Sequence, residues 1–219
     1  EKTDSPKDVL IVGGGIAGLE AADALRIRGH RPILCESTDK LGGQLVLAGT
    51  APRKDDFLYA VKMAVQNAYD TGVDVRTNTV VTPEMIRKMK PGAVIFANGS
   101  SPITPRIPGA DNGMVMNSHQ YLANPVAGAK TAVVIGGGLV GIEVAELLVS
   151  KGAKKVTVVE MKDSILSEMV TARRMCTEEE LAKEPIDVML STTCKEIREN
   201  EVVVEADGQE KVLPADCVI

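Results

Sequence analysis

The amino-acid sequence predicts an α/β fold built from two similar Rossmann-like halves. Three observations predict it. The stretch "VLIVGGGIAGLEAADALRIRGHRPILCES" near the start has a counterpart in "AVVIGGGLVGIEVAELLVSKGAKKVTVVEM". Each copy reads as apolar strand, glycine turn, amphipathic helix and second strand. Each second strand ends on an acid, Glu36 in the first copy and Glu160 in the second.

Taken in order, "DVLIV" (Asp8 to Val12) has the β-branched, apolar character of a buried parallel strand. Ile16, Leu19, Ala22 and Leu25 recur at helical spacing through Arg28, and Gly29 supplies a stop. "RPILCE" is the next strand. The stretch from Gly42 to Asp56 reads as a loop, and a helix follows over Phe57 to Asp70. "VDVRTNTVV" predicts one or two strands, "TPEMIRKMK" a capped short helix and "GAVIFANGS" another buried strand. Pro102, Pro105 and Pro108 prevent regular structure between Ser101 and Gly113, marking a crossover. The second copy starts at Thr131. Beyond Glu160 come a charged helical stretch, with Glu178 to Glu180 facing solvent, and the β-prone segments "IDVMLS", "CKEIREN" and "EVVVEADG".

Bulk composition narrows the function. Of 219 residues, 44% are hydrophobic and 25% charged, enough for packed cores. A net charge of −5 without a dense basic run argues against nucleic acid, as do only two Phe, three Tyr and no Trp. No apolar run approaches the ~20 residues of a membrane helix. The N-terminus lacks the features of a signal peptide, so a cytoplasmic location is expected. Cys35, Cys176, Cys194 and Cys217 form no C-x-x-C pair or zinc spacing, so reduced and mostly buried thiols are expected, with no metal site. Glu1 in place of Met, and an ending in the apolar "LPADCVI", are the marks of a piece of a longer polypeptide.

The glycines of G-x-G-x-x-G are Gly13, Gly15 and Gly18, then Gly136, Gly138 and Gly141. The first permits the tight turn, the second lets a pyrophosphate approach the backbone, and the third lets the helix pack on the sheet. Amides at the helix start, with Ile16 and Ala17 in one copy and Leu139 and Val140 in the other, are then available to phosphates. A carboxylate at Glu36 or Glu160 is placed to accept hydrogen bonds from ribose hydroxyls. Its charge repels a 2′-phosphate, so the second site should favour NADH, a preference that Lys162 softens. Two such sites in series suggest relay of a hydride from one nucleotide to a flavin, which requires no acid, base or nucleophile from the protein. No catalytic side chain is expected.

Bland roles are expected for several other residues. His119 is a surface or capping histidine and His30 an exposed turn residue. Met161, Met169 and Met175 fill core gaps. Asp23 and Glu146 occupy matching, solvated positions on the two glycine-turn helices.

These residues resemble the two-dinucleotide-fold flavoprotein oxidoreductases over nearly the whole chain. The first copy, with Ser37 after its acid, resembles the FAD turn, and "KLGGQL", with Gly43 and Gln44, the flavin-side loop. "TNTVVTPEMI" resembles the adenine-contacting strand region, with Val81 at that position. "VIFANGSSPITPRIPG", with Ala97 and Gly99, resembles the segment that crosses into the NAD domain. The second copy resembles the NAD turn, with Glu143 at the position near the nicotinamide. The likeness is greatest to the C-terminal half of 2-enoate reductases, 2,4-dienoyl-CoA reductases and trimethylamine dehydrogenase, where an upstream barrel carries FMN and a cysteine cluster an iron–sulfur centre.

The resemblance implies two Rossmann-like dinucleotide-binding domains of three-layer ββα type, an FAD-binding domain over 1–105 and an NAD(H)-binding domain over 106–219. It implies an incomplete FAD domain, because the family's returning C-terminal segment lies beyond Ile219. The implied partners are small-molecule cofactors and the rest of the parent chain with its FMN barrel. Asn98 departs from the family's Thr, and the missing cysteine pair disfavours the disulfide reductase branch. Two functions follow: an electron-transfer module of an NADH-dependent enoate or dienoyl-type reductase, or a non-catalytic module holding an ADP-like nucleotide as a structural ligand.

Overall fold

The computed structural model describes residues 2–219. The chain divides into two compact units, Glu1–Thr50 with Lys54–Ser101, and Pro102–Ile219 with Ala51–Arg53.

The first unit runs β1 (Asp8–Val12), α1 (Ile16–Ile27), β2 (Arg31–Cys35), α2 (Gln44–Ala48), α3 (Asp55–Asp70), β3 (Asp74–Arg76), α4 (Pro83–Met89) and β4 (Ala93–Phe96). The strands form one parallel sheet in the order β3-β2-β1-β4. Leu10 stands opposite both Ile33 and Val94. Val9, Leu10 and Ile11 are buried, as central-strand residues flanked on both sides must be. Ile11 and Leu34 pack with Leu19 and Ala22 of α1, with Ala68 of α3 and with Val73 just before β3. That cluster fixes α1 against the sheet, and so fixes where its N-terminus points. Asp55 and Asp56 complement the positive end of α3. Thr82 caps α4 by accepting the amide of Met85, with Pro83 in the first turn where its missing N–H costs nothing.

The second unit contains α5 (Ser118–Ala123), β5 (Thr131–Ile135), α6 (Leu139–Ser150), β6 (Lys155–Val159), α7 (Thr171–Leu181), β7 (Ile186–Met189), β8 (Thr192–Arg198), β9 (Glu201–Ala206), β10 (Gln209–Pro214) and β11 (Cys217–Val218). A parallel sheet β11-β5-β6-β7 and an antiparallel sheet β10-β9-β8 make two of its layers. Period-two alternation sorts the side chains of the parallel sheet. Val133 and Val159 meet Cys194, Ile197, Val202, Val204 and Leu213 of the antiparallel sheet, whereas Val134 faces the other way, toward Gly141 of α6. The result is helix on sheet on sheet. Asp216 secures β11 beside β5 by accepting the amides of Lys130 and Thr131 at 2.8 and 3.0 Å.

Several local expectations are corrected. Gln44–Ala48 is a short helix within the expected loop, and α3 starts at Asp55 rather than Phe57. "VDVRTNTVV" yields one three-residue strand. β4 is not a buried strand: it has a single neighbour at the sheet edge, and Phe96 is 70% exposed. Met161 and Met175 fill no core gap, being 72% and 54% exposed on a loop and on α7. Glu146 is not solvated, because Arg53 pairs with it at 2.5 Å and its side chain is only 12% exposed. Asp23 accepts a hydrogen bond from Asn67 of α3. His30 is half-buried, its Nδ1 accepting the amide of Lys7.

Cys35, Cys194 and Cys217 are buried and Cys176 is exposed. Burial pushes the three buried thiols above their ordinary pKa, which removes reactive thiolate. Mild iodoacetamide treatment of the native chain should therefore label Cys176 first. Peptide mapping checks this, and equal early labelling of Cys35 would contradict the packing of β2.

Candidate functional site: two glycine turns and their acids

At the end of β1 the chain turns through Gly13, whose φ of 112° suits glycine alone. A Cβ there would also strike the carbonyl oxygen of Ala97, the first residue after β4. The Gly13 amide donates to Cys35 at 2.8 Å, and Ala97 donates to Val12 at 2.8 Å, so the turn is held from both neighbouring strands. Gly18, one turn into α1, lies against the carbonyl of Gly13, where a side chain would force the helix off the strand. Gly136 and Gly141 repeat this pair, with φ 112° at Gly136 and the Gly136 carbonyl against Gly141.

The middle positions differ in kind. Gly15 and Gly138 are the N-caps of α1 and α6, with ordinary extended φ of −72° and −74°. A Cβ at Gly15 would have only Gly43 Cα at 3.8 Å, and one at Gly138 would meet nothing within 4 Å. Packing does not require glycine there. The open space leaves the backbone there free for a ligand to approach, and in this the residues present are compatible with a dinucleotide. Ile16 and Ala17, like Leu139 and Val140, occupy the first two positions of their helices, where amides lack intrahelical acceptors.

Each acid folds back onto its own turn. Glu36 Oε2 accepts the amide of Gly14 at 2.8 Å, and Oε1 accepts the amide of Thr38 at 2.8 Å and the hydroxyls of Thr38 and Ser37 at 3.0 and 3.1 Å. Glu160 Oε2 accepts Gly137 at 2.6 Å and Oε1 accepts Lys162 at 2.9 Å, with the side chain buried. This explains the central glycine of each "GGG", Gly14 or Gly137, which the motif alone leaves unassigned. A Cβ at Gly14 would run into Leu41 and Glu36, and one at Gly137 into Ile165 and Glu160. The run of three glycines was the visible signal for Gly14 and Gly137; the folded-back carboxylate was not visible.

Burial raises the pKa of Glu36, but the amides of Thr38 and Gly14 and the hydroxyls of Thr38 and Ser37 outweigh it and hold the carboxyl below its ordinary 4.5. A depressed folded-state value stabilises the fold in full above the unfolded value. That contribution is lost as pH falls below 4.5 through the folded value. Glu36→Gln should therefore flatten the dependence of the first unit's melting temperature on pH in that acid range. An unchanged slope would show that Glu36 is not the linked group.

The remaining positions distribute unevenly. Gly43, with φ 55°, precedes α2, and Gln44 Nε2 donates to the carbonyl oxygen of Ser100 at 2.6 Å, beside Gly99 with φ 68°. The segment leading into α2 and the segment after β4 are thereby joined. Val81 is half-buried, two residues past Thr79, whose amide donates to the Glu36 carbonyl at 2.7 Å. Glu143 is buried within α6 and lines neither cavity at the second turn. One of those cavities, of about 530 Å³, lies at Gly137, Gly138, Glu160 and Lys162. The other, of about 600 Å³, extends from Gly136, Gly138 and Gly141 toward Asn117 and Ile219. His119 lies in the second position of α5, whose capping box is made by Asn117 and Gln120 instead. Among the described residues no cluster could hold a metal ion and no helix is long and apolar enough to cross a membrane.

Comparison with known proteins agrees with this geometry. Cinnamate reductase of Clostridium sporogenes is 35% identical over 222 residues, covering 100% of this chain and 33% of that protein. NADH oxidase of Thermoanaerobacter brockii is 38% identical over 218 residues, covering 97% of this chain and 33% of that protein. The solved structure of 2-naphthoyl-CoA reductase in complex with 2-naphthoyl-CoA superposes with a TM-score of 0.92 at 28% identity, over 100% of this chain and 33% of that one. The chain thus spans about a third of the length of these relatives. Residues 7–219 match the family model described as pyridine nucleotide-disulphide oxidoreductase. With two dinucleotide turns on parallel sheets, the chain belongs to the pyridine nucleotide-disulphide oxidoreductase family, whose cofactors are FAD and NAD(H).

Proposed function

We propose that this chain is the NADH-to-flavin electron-transfer module of a larger reductase that acts on an enoate- or dienoyl-type substrate. The duplicated turn carries the reading: two helix N-termini, each with a side-chain-free approach at Gly15 or Gly138 and an acid tied to the turn by the amide of Gly14 or Gly137. FAD belongs to 1–105, on Gly13, Gly15, Ile16, Ala17, Gly18, Glu36, Ser37, Gly43, Gln44, Val81, Ala97 and Gly99. NADH belongs to 106–219, on Gly136, Gly138, Leu139, Val140, Gly141, Glu143 and Glu160. When bound, the nicotinamide supplies a hydride and the flavin accepts it. The chain's own residues bind phosphates through helix-start amides, orient riboses through the two acids, and set the positions of the reacting rings.

The names of the cinnamate reductase and NADH oxidase relatives support the class of reaction. Onward transfer to an FMN and iron–sulfur part, and the choice of alkene, belong to the complete protein. The test is anaerobic addition of NADH to that protein. Flavin absorbance should bleach, and bleaching should reverse on adding a cinnamate- or enoate-type acceptor. An unbleached flavin would overturn the reading and leave the nucleotide as a structural ligand.

A further inference from the structure

The helices that open at the two glycine turns carry acids at matching places, Asp23 on α1 and Glu146 on α6. Both acids bond to α3 or to the residues leading into it. Asp23 accepts a hydrogen bond from Asn67 at 2.7 Å, in the last turn of α3. Glu146 accepts one from Arg53, just ahead of the start of α3 at Asp55. The chain leaves the first unit after Thr50 and returns to it at Lys54, while Ala51–Arg53 groups with the second unit.

Three observations mark Arg53 as held in place. Its φ is 62°, in the left-handed region that is costly for any residue with a Cβ. Strain of that kind persists only where the surroundings impose it. Its guanidinium reaches two helices at once, Glu146 of α6 at 2.5 Å and Glu180 of α7 at 3.3 Å, and Glu184 adds a further negative charge to the field there. Finally, the Glu146 side chain is only 12% exposed, on a helix whose Ala145, Leu147 and Leu148 are buried. A carboxylate so nearly buried is costly to leave without its cation. Arg53 itself is 64% exposed, so water and salt reach the pair and can open it.

We propose that Arg53 is a releasable latch. Bonded to Glu146 and Glu180, it holds the segment that leads into α3 in the second unit; released, it frees that segment and relaxes its left-handed turn. With Asp23 gripping the other end, α3 and its lead-in are tied to both glycine-turn helices, and opening the latch leaves them tied to α1 alone. This inference does not depend on either turn holding a nucleotide.

Limited trypsin digestion of the full chain tests it. Trypsin must take the Arg53 side chain into its own acidic pocket to cut after it, and cannot do so while Glu146 and Glu180 hold that side chain. Cutting after Arg106, exposed in the proline-rich crossover, serves as the internal reference. Glu146→Gln removes the charge and leaves the cut site intact. It should raise the ratio of cutting after Arg53 to cutting after Arg106 at least about threefold. Glu180→Gln should raise the ratio less, because its contact is longer and its side chain more exposed. Raising NaCl from about 0.05 M to about 1 M should raise the same ratio in the unaltered chain. If Glu146→Gln speeds both cuts equally, the variant has unfolded and the salt series on the unaltered chain decides. A ratio unmoved by salt, or unmoved by Glu146→Gln in a chain that melts normally, overturns the latch.

Discussion

Alanine at Gly138 should leave the second unit's stability nearly unchanged and remove most of its affinity for NADH, whereas alanine at Gly141 should destabilise the unit itself. The two glycines lie three residues apart in one motif, yet different neighbours demand them. A Cβ at Gly138 meets nothing within 4 Å, and φ is −74°. Its stability cost is that of a poorer N-cap, under about 1 kcal/mol. If the proposed NADH site is right, a methyl at that point obstructs the approach of a pyrophosphate to the amides of α6, so NADH affinity should fall by about tenfold or more. At Gly141 the added Cβ lands on the Gly136 carbonyl, which is backbone and has no rotamer to change. Relief requires moving α6 away from β5, and Ile142, Val144 and Leu148 are all nearly fully buried. Overpacking of this sort costs about 1–3 kcal/mol. Thermal melts read one arm and calorimetry the other. If G138A destabilised as much as G141A, the open space at Gly138 would be wrong, and with it the argument that a ligand explains the glycine.

How much of this was legible beforehand follows from how far each signal reaches along the chain. Strand, turn and helix around Gly13 and Gly136 were readable because apolar periodicity and glycine placement act within a dozen residues. The acids Glu36 and Glu160 were readable as strand-tip residues for the same reason. Their folding back onto Gly14 and Gly137 spans more than twenty residues, and no local pattern reports it. Likewise Glu146 looked solvated because its partner Arg53 lies 93 residues away, in a loop that groups with the second unit. The methionines were misplaced for a different reason. Hydrophobicity alone sends Met161 inward, but it follows Glu160 directly, and turning the acid onto the turn leaves the next side chain facing out. Edge position misled the reading of β4 as well, since an apolar composition does not say how many neighbours a strand has.

Glutamine at Glu160 should cost more stability than glutamine at Glu36, although the two acids hold equivalent places. A carboxamide keeps the shape but has one accepting end and one donating end. At Glu160 the two acceptor oxygens face two backbone amides, Gly137 and Lys162, with no hydroxyl bonded to the carboxylate. Whichever way the carboxamide turns, one amide meets a donor and goes unpaired next to a buried group. That leaves a loss of about 1–3 kcal/mol. At Glu36 the Oε1 side carries the hydroxyls of Ser37 and Thr38 as well as the Thr38 amide. Hydroxyls rotate from donor to acceptor, so the new NH₂ finds partners and only the Thr38 amide is left. Alanine at Glu160 would orphan both amides and should destabilise the second unit by about 2–4 kcal/mol. Paired denaturant melts of E36Q, E160Q and E160A check the ranking. An E36Q loss equal to that of E160Q would mean that the hydroxyl shell of Ser37 and Thr38 does not set the first turn apart. The electrostatic difference between the two nucleotide sites would then have to lie elsewhere than at the acids.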